Sequence, residues 1–412
     1  MDFAGEQPAR DGRHTRTAAG THAFPRRDGS STTSEAGAAT DAPVMDIVPY
    51  SARYRQAVER MNSKLAAAGS EWRFDPEERP PDADRRPVWT ESFIAVEGDE
   101  VYGGYILKHQ TFFLEGDPHD VGNLQLPLSL GQIDSVFANV SVALLFDAMR
   151  RSPRLYSLGL GSPETQFARL LGAARFQSMA VPFYFSVKSA NRFADQIRLS
   201  PDAARLQRVL RVLGAVRLAG AALAARRRAA SRGRPRVMRG VYDRVEQTAT
   251  LLDVDELFGA EAASYSLVGD RRASALGCVY PDADARFIRL LVHARGGVVG
   301  WAVVLDTRMR NHRYFGDLRV GTLVDCFAEP SNAPAVAAAV DDFLGERGVD
   351  LVISNQLHAA WGAALERAGY ETGPSNFFFY VSEELSAELS RIESWEGRAH
   401  VNRGDGEGPE NL

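Results

Sequence analysis

The chain has 412 residues, 45% hydrophobic and 25% charged, with a formal net charge of -5. That balance describes a globular protein with enough apolar side chain for two cores, and the negative total excludes a nucleic-acid binder that works by bulk charge. Two cysteines, Cys278 and Cys326, cannot build a disulfide scaffold, and eight scattered histidines show no HxxxH or CxxC spacing, so no metal site is expected.

Residues 1–43 are rich in Gly, Ala, Ser, Thr, Arg and Asp without periodicity and read as a disordered tail. They open on no apolar signal core, and no run in the chain reaches the ~18–20 apolar residues that span a bilayer, so a cytoplasmic protein is expected. A first unit over 44–190 then begins with a helix at 51–68. Strands follow at 92–97, 101–109 and 122–130, and a helix at 135–151 carries Val136, Val140, Ala143, Leu144 and Met149 near helical spacing. A strand at 154–160 leads to a helix with Ser162 as cap and Pro163 in its first turn, and a strand ends near Val187.

Residues 191–243 form a linker. Between Asp202 and Asp243 it holds eleven arginines and no acid, beside a stripe of Leu206, Val209, Leu210, Leu213 and Val216. This is a basic amphipathic helix with three readings: packing between domains, contact with an anionic membrane surface, or attraction of RNA or another anionic partner. A second unit over 244–388 repeats the order of the first, with strands at 286–293, 298–306 and 318–327, a helix at 334–347, a strand at 349–354, a helix at 358–368 and a strand at 376–382. Residues 389–412 read as a helix end and a second disordered tail.

The two units are related by sequence. Moving residues 155–187 by 194 positions lays them on 349–381 without a gap. Phe167 then meets Trp361, Leu171 meets Leu365, Phe176 meets Tyr370, and Phe183-Tyr184-Phe185 meets Phe377-Phe378-Phe379. Gly104-Tyr105-Ile106-Leu107 matches Gly300-Trp301-Ala302-Val303 at a shift of 196. One structural unit is used twice, as a mixed α/β sheet covered by helices.

The order of elements, with a strand ending in Asn355, Ala359 and Leu365 on a helix, and the closing pair Gly369-Tyr370, resembles the GNAT acyltransferase fold. Both units share the likeness, so the chain resembles a tandem GNAT protein joined by a basic helical linker, with a more distant similarity to mycothiol synthase-like and Fem-like transferases. LPLSLGQID at 126–134 and VPFYFSV at 181–187 also resemble GNAT-type proteins of bacterial exopolysaccharide synthesis. The resemblance implies acetyl-CoA or another acyl-CoA as co-substrate and an amine or hydroxyl acceptor, with a saccharide as one form of it. It also implies that two parallel strands splay apart to admit the pantetheine arm. Leu128, Ser129, Gly131 and Ser135 in the first unit, and Asn355 and Gln356 in the second, are the cofactor-binding candidates. The family's glycine-rich phosphate loop is absent from both units, and Leu171 and Leu365 stand where its tyrosine acid would be.

Three residues are candidates for acid or base work. Asp325 ends the strand before the second unit's phosphate turn, with a structural capping role as its alternative. His358 opens the next helix, and His109 ends a hairpin strand. Cys326 reads as a buried small hydrophobe. Gly159-Leu160-Gly161-Ser162 reads as a tight turn, because Glu164 stands where a phosphate loop needs glycine. Lysine occurs only at Lys64, Lys108 and Lys188, a bias attributed to composition. The expected activity is acyl transfer from a thioester. The alternatives are aminoacyl transfer from tRNA and a non-catalytic binding protein with degenerate domains.

Overall fold

A computed structural model describes residues 45–160, 164–198, 240–251, 254–375 and 377–406. The N-terminal tail, most of the basic linker, and Ser162 with Pro163 lie outside the described residues.

Alternating apolar residues in the first unit build strands β1 (Asp46–Pro49), β2 (Val88–Glu97), β3 (Glu100–Leu114) and β4 (Asp117–Ser129). They lie side by side and antiparallel, and β4 then takes β5 (Leu155–Leu158) as a parallel neighbour. Helix α1 (Arg55–Ala67) covers one face, packing Val58, Met61 and Leu65 on Ile94, Val96 and Leu128. Helix α2 (Ala138–Arg151) covers the other, with Val140, Leu144 and Leu145 against Tyr105, Leu107 and Leu124. Tyr105 and Leu107 share one face of β3 and Lys108 belongs to the other, as the two-residue period requires.

The second unit repeats the arrangement. β8 (Arg244–Thr248), β10 (Ile288–Ala294), β11 (Gly297–Arg308), β12 (Arg319–Ala328) and β13 (Leu351–Asn355) follow one another across a second sheet, and β12–β13 is again the parallel pair. The alanine-rich helix Ala333–Glu346 is buried along most of its length against β11 and β12. Two mixed α/β sheets in tandem are therefore present, as the repeat predicts.

The closing strands depart from that reading. β7 (Phe183–Val187) leaves the first unit and pairs with β13 in the second sheet, beside β14 (Glu371–Gly373). In return β15 (Phe378–Val381) crosses into the first sheet and lies between β5 and β6 (Gln177–Ala180). Only Val181 and Pro182 separate β6 from β7, and a proline without an N–H ends the first ladder there. Tyr184 stands opposite Ser354, and Tyr380 stands opposite Ser157. The strand registers therefore equate Tyr184 with Tyr380, a shift of 196 in place of 194. In a run of consecutive aromatics, sequence matching tolerates either offset.

The C-terminal segment departs more sharply. Residues 396–412 read as a tail, yet Ala399, His400, Val401 and Asn402 are fully buried. β16 (Ala399–His400) pairs parallel with β9 (Leu267–Gly269), which itself extends the first sheet from β3. The segment to Gly406 then runs inward as a strap against both sheets. Its polar composition is compatible with burial because partners far away in sequence satisfy its groups.

Candidate functional site

In each sheet the parallel pair separates after a short contact. β4 and β5 are paired only at Gly122–Leu155 and Asn123–Tyr156. Ser157 Oγ still reaches Leu124 O at 2.7 Å, and β4 then continues to Ser129 while β5 stops. The β3–β4 ladder bulges over this stretch, where Leu126 adopts φ 44°; a bulge bends the strand and raises its twist. In the second sheet β12 and β13 pair at four positions, ending at Leu323–Ser354, and Ser354 Oγ faces Leu323 O at 3.4 Å.

The two wedges differ in what enters them. In the second, the strap takes the vacated edge: Leu357 N donates to Val401 O at 3.0 Å, Gln356 bridges to Asn402, and Asn402 Nδ2 donates to Asp325 Oδ1 at 2.8 Å. In the first, no described strand pairs with β4 on that side beyond Asn123. The strap bonds side chains on both strands here: Asn123 Nδ2 donates to Asp405 O at 3.1 Å, Gln125 Nε2 to Gly406 O at 3.2 Å, and Tyr156 OH to Asp405 O at 2.6 Å.

A buried polar cluster joins the wedges. Arg271 Nε lies 3.1 Å from Asp325 Oδ2, and its Nη2 donates to Asp405 Oδ1 at 2.7 Å. Burial opposes the Arg271 charge, but the two carboxylates hold it above its ordinary range. Burial raises Asp405, against the pull of Arg271 and with the repulsion of Asp325. Tyr280 OH donates to Asp325 Oδ2 at 2.9 Å, and Tyr156 OH donates to Asp405 O at 2.6 Å. Lys108 adjoins the cluster from β3; burial pushes its ammonium down to about 8, against the attraction of Asp405.

The residues singled out from sequence separate into groups. Asp325 is buried on β12 and accepts from Arg271, Tyr280, Asn402 and the Cys326 amide. Asn355 accepts from Arg403 at 3.0 Å, and Gln356 Nε2 points to Cys326 Sγ at 3.6 Å. These three are brought together with the strap. His358 is the cap of the helix Ala359–Ala368, with Nδ1 accepting from Ala360 N at 3.1 Å; burial, with Arg398 nearby, pushes it down to about 4. Burial and Asp325 push the Cys326 thiol well up, so it stays protonated.

The first-unit candidates lie apart from these. His109 stacks on Trp89 with centroids 3.9 Å apart and meets Glu91 at 2.9 Å, on the face opposite Lys108. Leu128 and Ser129 lie on β4 beyond its pairing with β5; Leu128 packs in the core under α1, and Ser129 Oγ meets Ser141 Oγ at 2.7 Å. Gly131 opens the turn into α2, packed so tightly that a Cβ would lie 2.5 Å from Phe137 O. Ser135 is exposed just after Asp134, whose carboxylate accepts from Val136 N at 3.0 Å.

Sequence reasoning passed over Lys108, Asn123, Gln125, Arg271, Tyr280, Asn402 and Asp405. A signal existed for the first three. Lys108 and Gln110 on β3, and Asn123 and Gln125 on β4, put polar side chains on alternate positions of strands that are otherwise apolar. In a two-face-buried strand that pattern marks a polar interior.

No family model and no curated protein matches the chain. Solved structures do resemble it. A GCN5-related N-acetyltransferase from Anabaena variabilis aligns over 82% of this chain and 72% of its own, with 11% identity and a TM-score of 0.46. Saccharomyces cerevisiae N-myristoyltransferase with bound myristoyl-CoA aligns over 83% and 81%, with 11% identity and a TM-score of 0.44. A tandem GNAT protein from the clavulanic acid biosynthesis pathway aligns over 82% and 98%, with 14% identity and a TM-score of 0.41.

Proposed function

We propose that this protein transfers an acyl group from an acyl-CoA thioester to an amine or hydroxyl acceptor, and that the first wedge holds the donor. One observation carries the reading: β4 and β5 part after two paired positions and no described strand pairs into the gap between them, whereas the strap occupies the matching gap in the second sheet. Peptide groups along a splayed strand suit the amides of a pantetheine arm, and fixed N–H groups that polarise a thioester carbonyl lower the barrier to attack. Leu128, Ser129, Gly131 and Ser135 are the residues of this proposal that line the donor's path. The second unit, with Asn355, Gln356 and Asp325 bonded to the strap, holds the catalytic half in shape. His109 and His358 stay secondary candidates for proton transfer, and a saccharide remains the acceptor named on resemblance.

Hydrogen exchange tests this directly. Acetyl-CoA and longer acyl-CoAs are added to the full chain at concentrations far above a plausible dissociation constant. The expected result is a raised melting temperature with new protection over residues 124–141, and no new protection over 324–335. Protection confined to the second region, or stabilisation by tRNA alone, overturns the assignment.

A further inference from the structure

Lys108 is one of three lysines in the chain and is only 7% exposed. Its Nζ makes no hydrogen bond among the described residues. Directly across the β3–β4 ladder stands Asn123, the last residue of β4 paired with β5. Asn123 is buried, and its Oδ1 has no hydrogen-bond partner. At the apex of the first wedge, therefore, an unbonded amine and an unbonded amide oxygen lie on neighbouring strands and on the same face. A buried acceptor left unmatched is costly, so the pair calls for a group that donates to one and exchanges a proton with the other. The charged and titratable groups around Lys108 are Asp405 on the strap, Arg271 after β9 and Asp325 on β12. Tyr156 on β5 and Tyr280 are bonded into the same cluster. Arg271 is matched by the two aspartates, so Lys108 is the cation of the group without a bonded carboxylate.

Resting on the acyl-transfer reading above, we propose that Lys108 carries the proton in that transfer, and that Asn123 Oδ1 orients the N–H or O–H of an uncharged primary amine or hydroxyl beside it. As the acceptor's nitrogen or oxygen bonds to the acyl carbon, its proton passes to Lys108 Nζ. The C–S bond breaks with its electron pair on sulfur, and the Lys108 ammonium returns the proton to the thiolate. One group thus serves as base and then acid, the part a tyrosine would take at the positions where Leu171 and Leu365 stand. A lysine held near 8 is well matched to a thiol of ordinary pKa about 8.5.

The test uses the full chain, its three lysines labelled by reductive [13C]methylation, with acetyl-CoA as donor and ethanolamine, which bears both acceptor groups, as probe. The Lys108 resonance, assigned through Lys108→Arg, is expected to titrate below the ordinary lysine range and to shift when acetyl-CoA is added. Lys108→Arg keeps the positive charge but cannot release a proton. It is expected to bind acetyl-CoA as the wild type does and to release thiol about 100-fold more slowly, with Lys108→Met the same. Wild-type rates and pH profile in Lys108→Arg, or a Lys108 resonance unmoved by saturating acetyl-CoA, overturn the inference and leave the donor assignment standing. Failure of the wild type to bind any acyl-CoA overturns the donor assignment itself, and the inference with it.

Discussion

Asn402 Nδ2 donates to Asp325 Oδ1 at 2.8 Å, fastening the C-terminal strap to the middle of the second sheet. Asp325 also accepts from Arg271, Tyr280 and the Cys326 amide, so its oxygens are fully engaged in holding structure. The strap thereby fills the gap in the second sheet, and it is bonded to both β4 and β5 of the first.

Arg271 is the pivot of this fastening, because it faces Asp325 and Asp405 together. Arg271→Met leaves two buried carboxylates without their cation. Breaking a buried pair in this way costs about 3–5 kcal/mol, and urea denaturation is expected to show a loss of that size. An exposed pair such as Arg175–Glu383 (3.1 Å) serves as the control, since its removal should cost under ~1 kcal/mol.

His358 and His400 are both held neutral by burial, His358 down to about 4 and His400 well below its ordinary value. Their folded values lie below the unfolded value near 6.5, so the unfolded chain binds more protons as pH falls. Stability is therefore complete above that value and declines as pH drops below it, by up to about 1.4 kcal/mol per pH unit for each histidine. Lys108, lowered to about 8, adds slope of the same sign only toward the top of the range and none near pH 5.5. Urea midpoints between pH 7.5 and 5.5 check the sign. His358→Asn, which keeps a capping side chain, should flatten the slope.

Gly404 passes so close to its neighbours that a Cβ would lie 2.1 Å from Tyr280 OH and 2.9 Å from Asp325 Oδ2. Gly404→Ala is expected to lose about 1–3 kcal/mol by overpacking. Tyr280→Phe removes the clashing hydroxyl, so the double variant should be more stable than the sum of the single losses predicts. A melting series on the four proteins decides it.

Asp134 caps the turn into α2 with its carboxylate on Val136 N. An acid at this helix start opposes an incoming pyrophosphate, whereas the bare N-terminus favours one. Asp134→Asn keeps a capping oxygen and removes the charge. Acyl-CoA affinity by calorimetry is expected to rise roughly 3–10-fold at low salt and to converge with wild type as salt is raised.

Sequence alone determined the repeated unit, because apolar periods and paired glycines are local properties that survive as a pattern. It placed the hairpin β2–β3, the two parallel strands of each sheet and the helices between them close to where they stand, and missed the turn at 115–116 that joins β3 to β4. Asn355 and Gln356 were legible as the end of a strand. Their union with the strap was not, nor was the crossing of β7 and β15, since two equivalent sheets offer the same aromatic strand the same ladder. Tertiary structure decided those points. Asn123 and Asp405 are 282 residues apart along the chain, and whether a polar segment is solvated or buried depends on whether distant partners satisfy its hydrogen bonds. Lys108 carries the same lesson, for a lysine on a strand acquires its chemistry only from the low-dielectric surroundings that folding assembles around it.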